Sequence, residues 1–137
     1  MPITVAEIRS GAVAYLDAST LNDDPEVTNP EHPTTRNGPF VCFAVNGQRS
    51  GWAPISTQFR EERLLIEESW RLSGAGAWRN ADQYLNDGLT TYVGPNASFA
   101  GASQNTDTFR AANRPRVNAE GVAAILAEIQ NQGGNVP

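Results

Sequence analysis

The segment EHPTTRNGPF, residues 31–40, gathers a carboxylate, the only histidine of the chain and an arginine: Glu31, His32 and Arg36. Imidazole exchanges protons near neutral pH, a carboxylate can serve as a base, and a guanidinium stabilises charge developing on a phosphoryl oxygen. The trio therefore suits phosphodiester chemistry. A hydroxyl pair, Ser56-Thr57, closes the stretch WAPIST at residues 52–57 and would add hydrogen-bond donors. The same residues also suit plain scaffold. Pro30 and Pro33 stiffen a surface loop, Asp23, Asp24 and Glu31 are alternative partners for Arg36, and Ser-Thr after a strand caps turns.

Other chemistry is poorly supported. The chain has no P-loop, no G-x-G-x-x-G, no H-E-x-x-H and no G-x-S-x-G. GAGAWR at 74–79 lacks the lysine and spacing of a phosphate loop and reads as a turn before a helix. Cys42 with His32 would make a nucleophile and base, but strand alternation sets Cys42 beside Phe40 and Ala44, where a thiol acts as a small hydrophobe. One cysteine forms no intramolecular disulfide, and one Cys with one His builds no zinc site, so no metal or cofactor is expected. Trp52, Trp70 and Trp78 read as core or interface anchors, and the acidic pairs at 23–24, 61–62 and 67–68 as solvated faces.

The elements that must position these groups follow from periodicity and punctuation. Thr4 and Glu7 form a capping-box pattern that predicts a helical turn over 5–9. AVAYLD at 12–17 reads as an internal strand, apolar on both faces, and residues 18–37 as one long polar loop. PFVCFAV at 39–45 is a strand, Asn46-Gly47 a hairpin turn, and 50–56 the antiparallel partner, with Pro54 implying an edge or a bulge. The hairpin brings Arg36 and Ser56-Thr57 to the same end of the sheet.

Further along, 58–62 reads as a helical turn followed by extended chain, and Ala77, Ala81 and Leu85 are spaced for a short helix. Residues 90–95, 98–103 and 114–117 read as extended. A C-terminal helix over 118–132 is capped by Asn118, apolar along Val122, Ile125, Leu126 and Ile129, and stopped by Gly133-Gly134. The expected class is α+β, mainly β: one domain over 1–137, a bent antiparallel sheet or barrel with helices packed on it.

Net charge is −5, with 39% hydrophobic residues, and all ten basic residues are arginine. No global positive field draws the chain to nucleic acid or an anionic membrane, so any such contact must be local. MPITVAEIRS has neither a basic start nor an apolar core, and no apolar run reaches membrane-spanning length, which makes a cytoplasmic protein without a membrane partner the expectation.

IRSGAVAYLD, the polar loop with Arg36 ahead of PFVCFAV, the hairpin to WAPIST and the ending TDTFRAANRPRVNAEGVAAILAEIQ together resemble the MazF/PemK family of toxin ribonucleases, over roughly residues 8–57 and 106–132. The resemblance implies a small SH3-like barrel, a homodimer, that cleaves single-stranded RNA without metal and is silenced by an antitoxin protein. It assigns Arg36 to the scissile phosphate and Thr57 or Ser56 to the hydroxyl beside it, and sets Glu31 and His32 in the loop of the acid-base residues. Asn37 and Gly38 stand between Arg36 and Pro39, where the family has Arg-Pro contiguous. The other function class the sequence admits is a non-catalytic SH3-like module that binds another protein, as in a phage or plasmid protein.

Overall fold

The computed structural model describes residues 1–137. Eight strands are present: β1 Val13–Leu16, β2 Gly38–Asn46, β3 Arg49–Ser56, β4 Leu65–Ile66, β5 Arg71–Leu72, β6 Gln83–Leu85, β7 Tyr92–Pro95 and β8 Arg116–Val117. Four helices accompany them: α1 Ala18–Asp23, α2 Ala77–Asn80, α3 Asn96–Ala102 and α4 Ala119–Gln132. The expected α+β class, with an antiparallel sheet and a C-terminal helix, is what the chain adopts. The six-stranded sheet runs β1-β2-β3-β6-β4, with β7 also paired to β3, and it is not closed into a barrel.

The β2-β3 hairpin forms the centre. Asn46 pairs with Arg49, so Gly47, at φ +64°, and Gln48 make the turn. Alternation along the strands then divides the core in two. Ala14, Leu16, Phe40, Cys42 and Trp52 join one apolar cluster with Leu21 of α1 and Phe99 of α3. Val13, Val41, Phe43, Ala53 and Ile55 join the other with Ile125 and Ile129 of α4. Both faces of the sheet are covered, which is why its strands read as continuous apolar runs. All three tryptophans are buried, as expected of core anchors.

Pro54 lies on neither an edge nor a bulge of its own strand. β3 is central, and its second neighbour changes from β7, which pairs Arg49–Trp52, to β6, which pairs Ile55 and Ser56. The missing Pro54 donor falls at that change of partner, so no ladder bond is lost. β1 ends the strand order rather than lying inside it, yet Val13 N–H donates to Pro115 O at 3.2 Å and Ala12 bridges Arg116, so its outer edge is covered.

Several local expectations are corrected. The loop 18–37 begins with helix α1, because Asp17 accepts from Thr20 N–H at 3.1 Å as an N-cap and Ala18 and Leu21 are buried. Residues 98–103 belong mostly to helix α3, where Asn96, Phe99 and Ala100 are buried at helical spacing and Phe99 stacks on Trp52 at 5.5 Å. The helix expected through Leu85 stops at Asn80, and Leu85 sits in β6 beside Ile55. No helical turn forms at 58–62; a turn closes there through Arg63 N–H to Arg60 O. The N-terminal turn is a 3₁₀ turn at Val5–Glu7, with the Glu7 carboxylate accepting from Thr4 N–H at 3.1 Å. α4 follows its expected limits: Asn118 accepts from Gly121 N–H and Gly133 closes it in the left-handed region.

Candidate phosphate-binding cleft

Antiparallel register decides what converges. Tyr15 pairs with Pro39, Phe40 with Pro54, and Ser56 with Tyr84, so the end of β1, the start of β2, the end of β3 and β6 meet at one end of the sheet. There a cleft of about 430 Å³ opens, and Arg36, Ser56 and Thr57 all line it. The hairpin register therefore brings the expected cation and the expected hydroxyls into one cleft.

The loop that carries Arg36 is tied down on both sides. Thr34 N–H donates to the Tyr92 hydroxyl at 3.0 Å, and that hydroxyl donates to Asn22 Oδ1 at 2.8 Å. Burial pushes the Tyr92 phenol up, against hydrogen bonds from Thr34 and to Asn22 that act the other way, so it stays a proton donor. Asn37 Oδ1 accepts from Ala18 N–H, at the first turn of α1, at 2.9 Å. The extra residues before Pro39 thus anchor the loop to a helix end, and Arg36 still faces the cleft.

Two further arginines, Arg60 and Arg63, line the same wall, and none of the sixteen lining residues is Asp or Glu. Arg63 is fixed by neutral acceptors alone: its Nε and Nη2 reach Asn86 O and Oδ1 at 3.0 and 2.9 Å, and its Nη1 reaches Gln58 O at 2.9 Å. The chain's only ion pairs join Arg114 to Glu7 and Asp107, so none of Arg36, Arg60 and Arg63 is in direct contact with a carboxylate. A protein of net charge −5 has gathered three arginines in one concavity whose lining holds no carboxylate. Such a cluster makes the cleft a candidate anion site.

No known protein-family model, curated protein or solved structure matches the chain. The resemblance to toxin ribonucleases therefore rests on the short motifs quoted above, and function has to be argued from the cleft itself.

Not every expected residue arrives. Glu31 and His32 line a separate hollow with Asp87, Thr90 and Asn135, apart from Arg36. The separation has a structural cause: Thr28 bridges Val93, and Asn135 Nδ2 donates to Asn29 O, so the loop is drawn toward β7 and the C-terminal segment before it turns back to Arg36. The pairing of Arg36 with Asp23, Asp24 or Glu31 does not occur either. Ser56 does cap a turn, since its Oγ accepts from Gln58 N–H at 3.0 Å, which leaves its O–H free to donate. Thr57 is exposed.

Cys42 is buried among apolar side chains, and that burial pushes its thiol up to about 12. It has no thiolate to offer as a nucleophile at neutral pH. Arg60 and Arg63 were hidden in the sequence by the Glu61-Glu62 pair between them, which gives the run the look of a solvated charge face. Tyr15, half-buried in the cleft, carries no signal in the sequence beyond its place in a strand.

Proposed function

We propose that the cleft binds the phosphodiester backbone of single-stranded RNA and promotes its cleavage without metal. The observation that carries this reading is a cleft lined by three arginines and by Ser56 and Thr57, with no carboxylate in its lining. Guanidinium groups bind phosphate in bidentate fashion, and a site with no carboxylate, imidazole or thiolate offers a cation little to hold it. In the reaction, the ribose 2′-oxygen attacks phosphorus and loses its proton to water, and the bond to the 5′-oxygen breaks. Arg36 and the Thr57 hydroxyl stabilise the charge on the non-bridging oxygens. The Tyr15 hydroxyl, the one phenol lining the cleft, would donate the proton to the leaving 5′-oxygen. The products are a 2′,3′-cyclic phosphate and a 5′-hydroxyl.

On this reading the chain is the toxin of a toxin-antitoxin pair, and an antitoxin with an acidic segment would silence it by occupying the arginines. Homodimer formation belongs to the same proposal. No helix is long and apolar enough to cross a membrane, and the proposed setting is the cytoplasm.

A second reading is favoured by one observation: with Glu31 and His32 elsewhere, the cleft holds no ordinary general base. A non-catalytic module that captures a polyanionic partner would need none. Incubating single-stranded RNA with the protein in EDTA separates the two. Cleavage by the wild type and not by Arg36→Ala supports the nuclease. RNA binding without cleavage supports the module, and neither binding nor cleavage would sink the nuclease.

A further inference from the structure

We infer that Phe59 is a stacking platform for one unpaired base, with Arg60 and Arg63 holding the phosphate attached to it. The inference rests on the reading of the cleft as a phosphodiester site for single strands and adds to it the position that holds one of their bases. Phe59 is 70% exposed and is the only aromatic side chain among the exposed large apolar residues. Its chain neighbours, Gln58 and Arg60, both line the cleft, and Phe59, outside that lining, adjoins it in the chain. The ring is propped at 67° against Tyr84, 5.9 Å away, and Tyr84 is itself buried in β6. A propped aromatic kept in water beside unpaired arginines is the arrangement by which single-strand binders hold a base and its backbone together.

The charges on either side set the length of the track. Arg60 and Arg63 also border an adjoining hollow, where Glu62 and Asp87 appear beside Asn86 and Gln132. Carboxylates there repel a further phosphate, so the positive path runs from Arg36 to Arg60 and ends. A short stretch of backbone fits this path, with the base next to Arg60 turned onto Phe59. A paired base has no free face to offer, so duplex RNA is excluded from the platform.

The test uses a 2′-O-methyl oligouridine, which lacks the attacking hydroxyl, and the same backbone with abasic positions. Affinity for each is measured by fluorescence anisotropy. Phe59→Leu keeps an apolar surface side chain and should weaken binding of the oligouridine by roughly five- to a hundredfold, with Phe59→Trp at least as tight as the wild type. Toward the abasic strand, wild type and Phe59→Leu should bind equally. If Phe59→Leu binds the oligouridine as tightly as the wild type while Arg36→Ala does not bind it, the platform is wrong and the phosphate cleft stands. If the wild type binds neither strand, the cleft reading and the platform fail together. A change in self-association on Phe59→Leu without a change in oligonucleotide affinity would also overturn the platform and assign the ring to a protein contact.

Discussion

Asn86 grips Arg63 with two oxygens, its backbone carbonyl at 3.0 Å from Nε and its side-chain oxygen at 2.9 Å from Nη2. The contact orients the guanidinium without neutralising it, which a carboxylate partner would do. A cation held in place by neutral acceptors loses less side-chain freedom when it meets a phosphate. Arg63→Gln is expected to lower the slope of log affinity against log salt by about 0.7, the value of one phosphate contact on a single strand. Asn86→Ala should leave that slope nearly intact and weaken binding several-fold, because the charge remains while one bond of about 0.5–1.5 kcal/mol that aims it is lost. Titration of the oligouridine at several salt concentrations reads both. An unchanged slope in Arg63→Gln would remove Arg63 from the phosphate track.

His32 lies in the hollow with Asp87 and Asn135, not beside Arg36. A proton-transfer residue contributes about two to four decades of rate. His32→Gln should therefore leave any RNA cleavage within about twofold of the wild type, far short of a general-base effect. A fall of two decades would mean that the loop swings into the cleft during turnover.

The parts of the fold that were legible in the sequence are those fixed by neighbours in the chain. The α4 boundaries follow from Asn118 and Gly133, and the Arg36 to Ser56-Thr57 convergence follows from hairpin register alone. What was not legible depends on distant contacts. α1 is six residues long and polar at most positions, and it is held by Asp17 at its start and by Asn37 from nineteen residues away. α3 is built from small residues that strands also accept, and its helical state depends on Phe99 reaching Trp52. Arg60 and Arg63 sit in an irregular segment whose path is set by Asn86, and no periodicity announces such a path. Glu31 and His32 lie apart from Arg36 for the same reason, since the bridge from Thr28 to Val93 draws their loop toward β7.

Arg114 is 6% exposed and binds Asp107, which is fully buried, at 2.5 Å, as well as Glu7, Met1 O and Val13 O. It joins the N-terminal segment to β1 and to the turn after α3. Arg114→Met should cost about 3–5 kcal/mol, because Asp107 would be left as a buried, unpaired charge. Adding Asp107→Asn to the same chain should recover much of the loss, since the uncompensated charge is gone. Urea unfolding of the three proteins measures this. A single-variant loss below about 1 kcal/mol would show the pair to behave like a surface bridge.

Glu7 gives the fold a defined acid sensitivity. Burial acts to raise its carboxyl, but hydrogen bonds from the Thr4 N–H and hydroxyl and the nearby Arg114 guanidinium outweigh that and hold it below its ordinary 4.5. A carboxyl depressed on folding stabilises the native state fully above its unfolded value, and that contribution disappears as pH falls through the folded one. Asp17 is lowered in the same sense from 3.8, by the Ser19 hydroxyl and the Thr20 N–H. The wild type should therefore lose stability below the ordinary carboxylate range through both groups. Glu7→Gln isolates one of them. It should be less stable than the wild type near neutral pH, and the gap in urea midpoint should narrow as the pH is lowered toward about 3, because protonation makes the wild-type side chain equivalent to the variant's. A gap of the same size at both pH values would mean that Glu7 contributes through shape, and not through its charge beside Thr4 and Arg114.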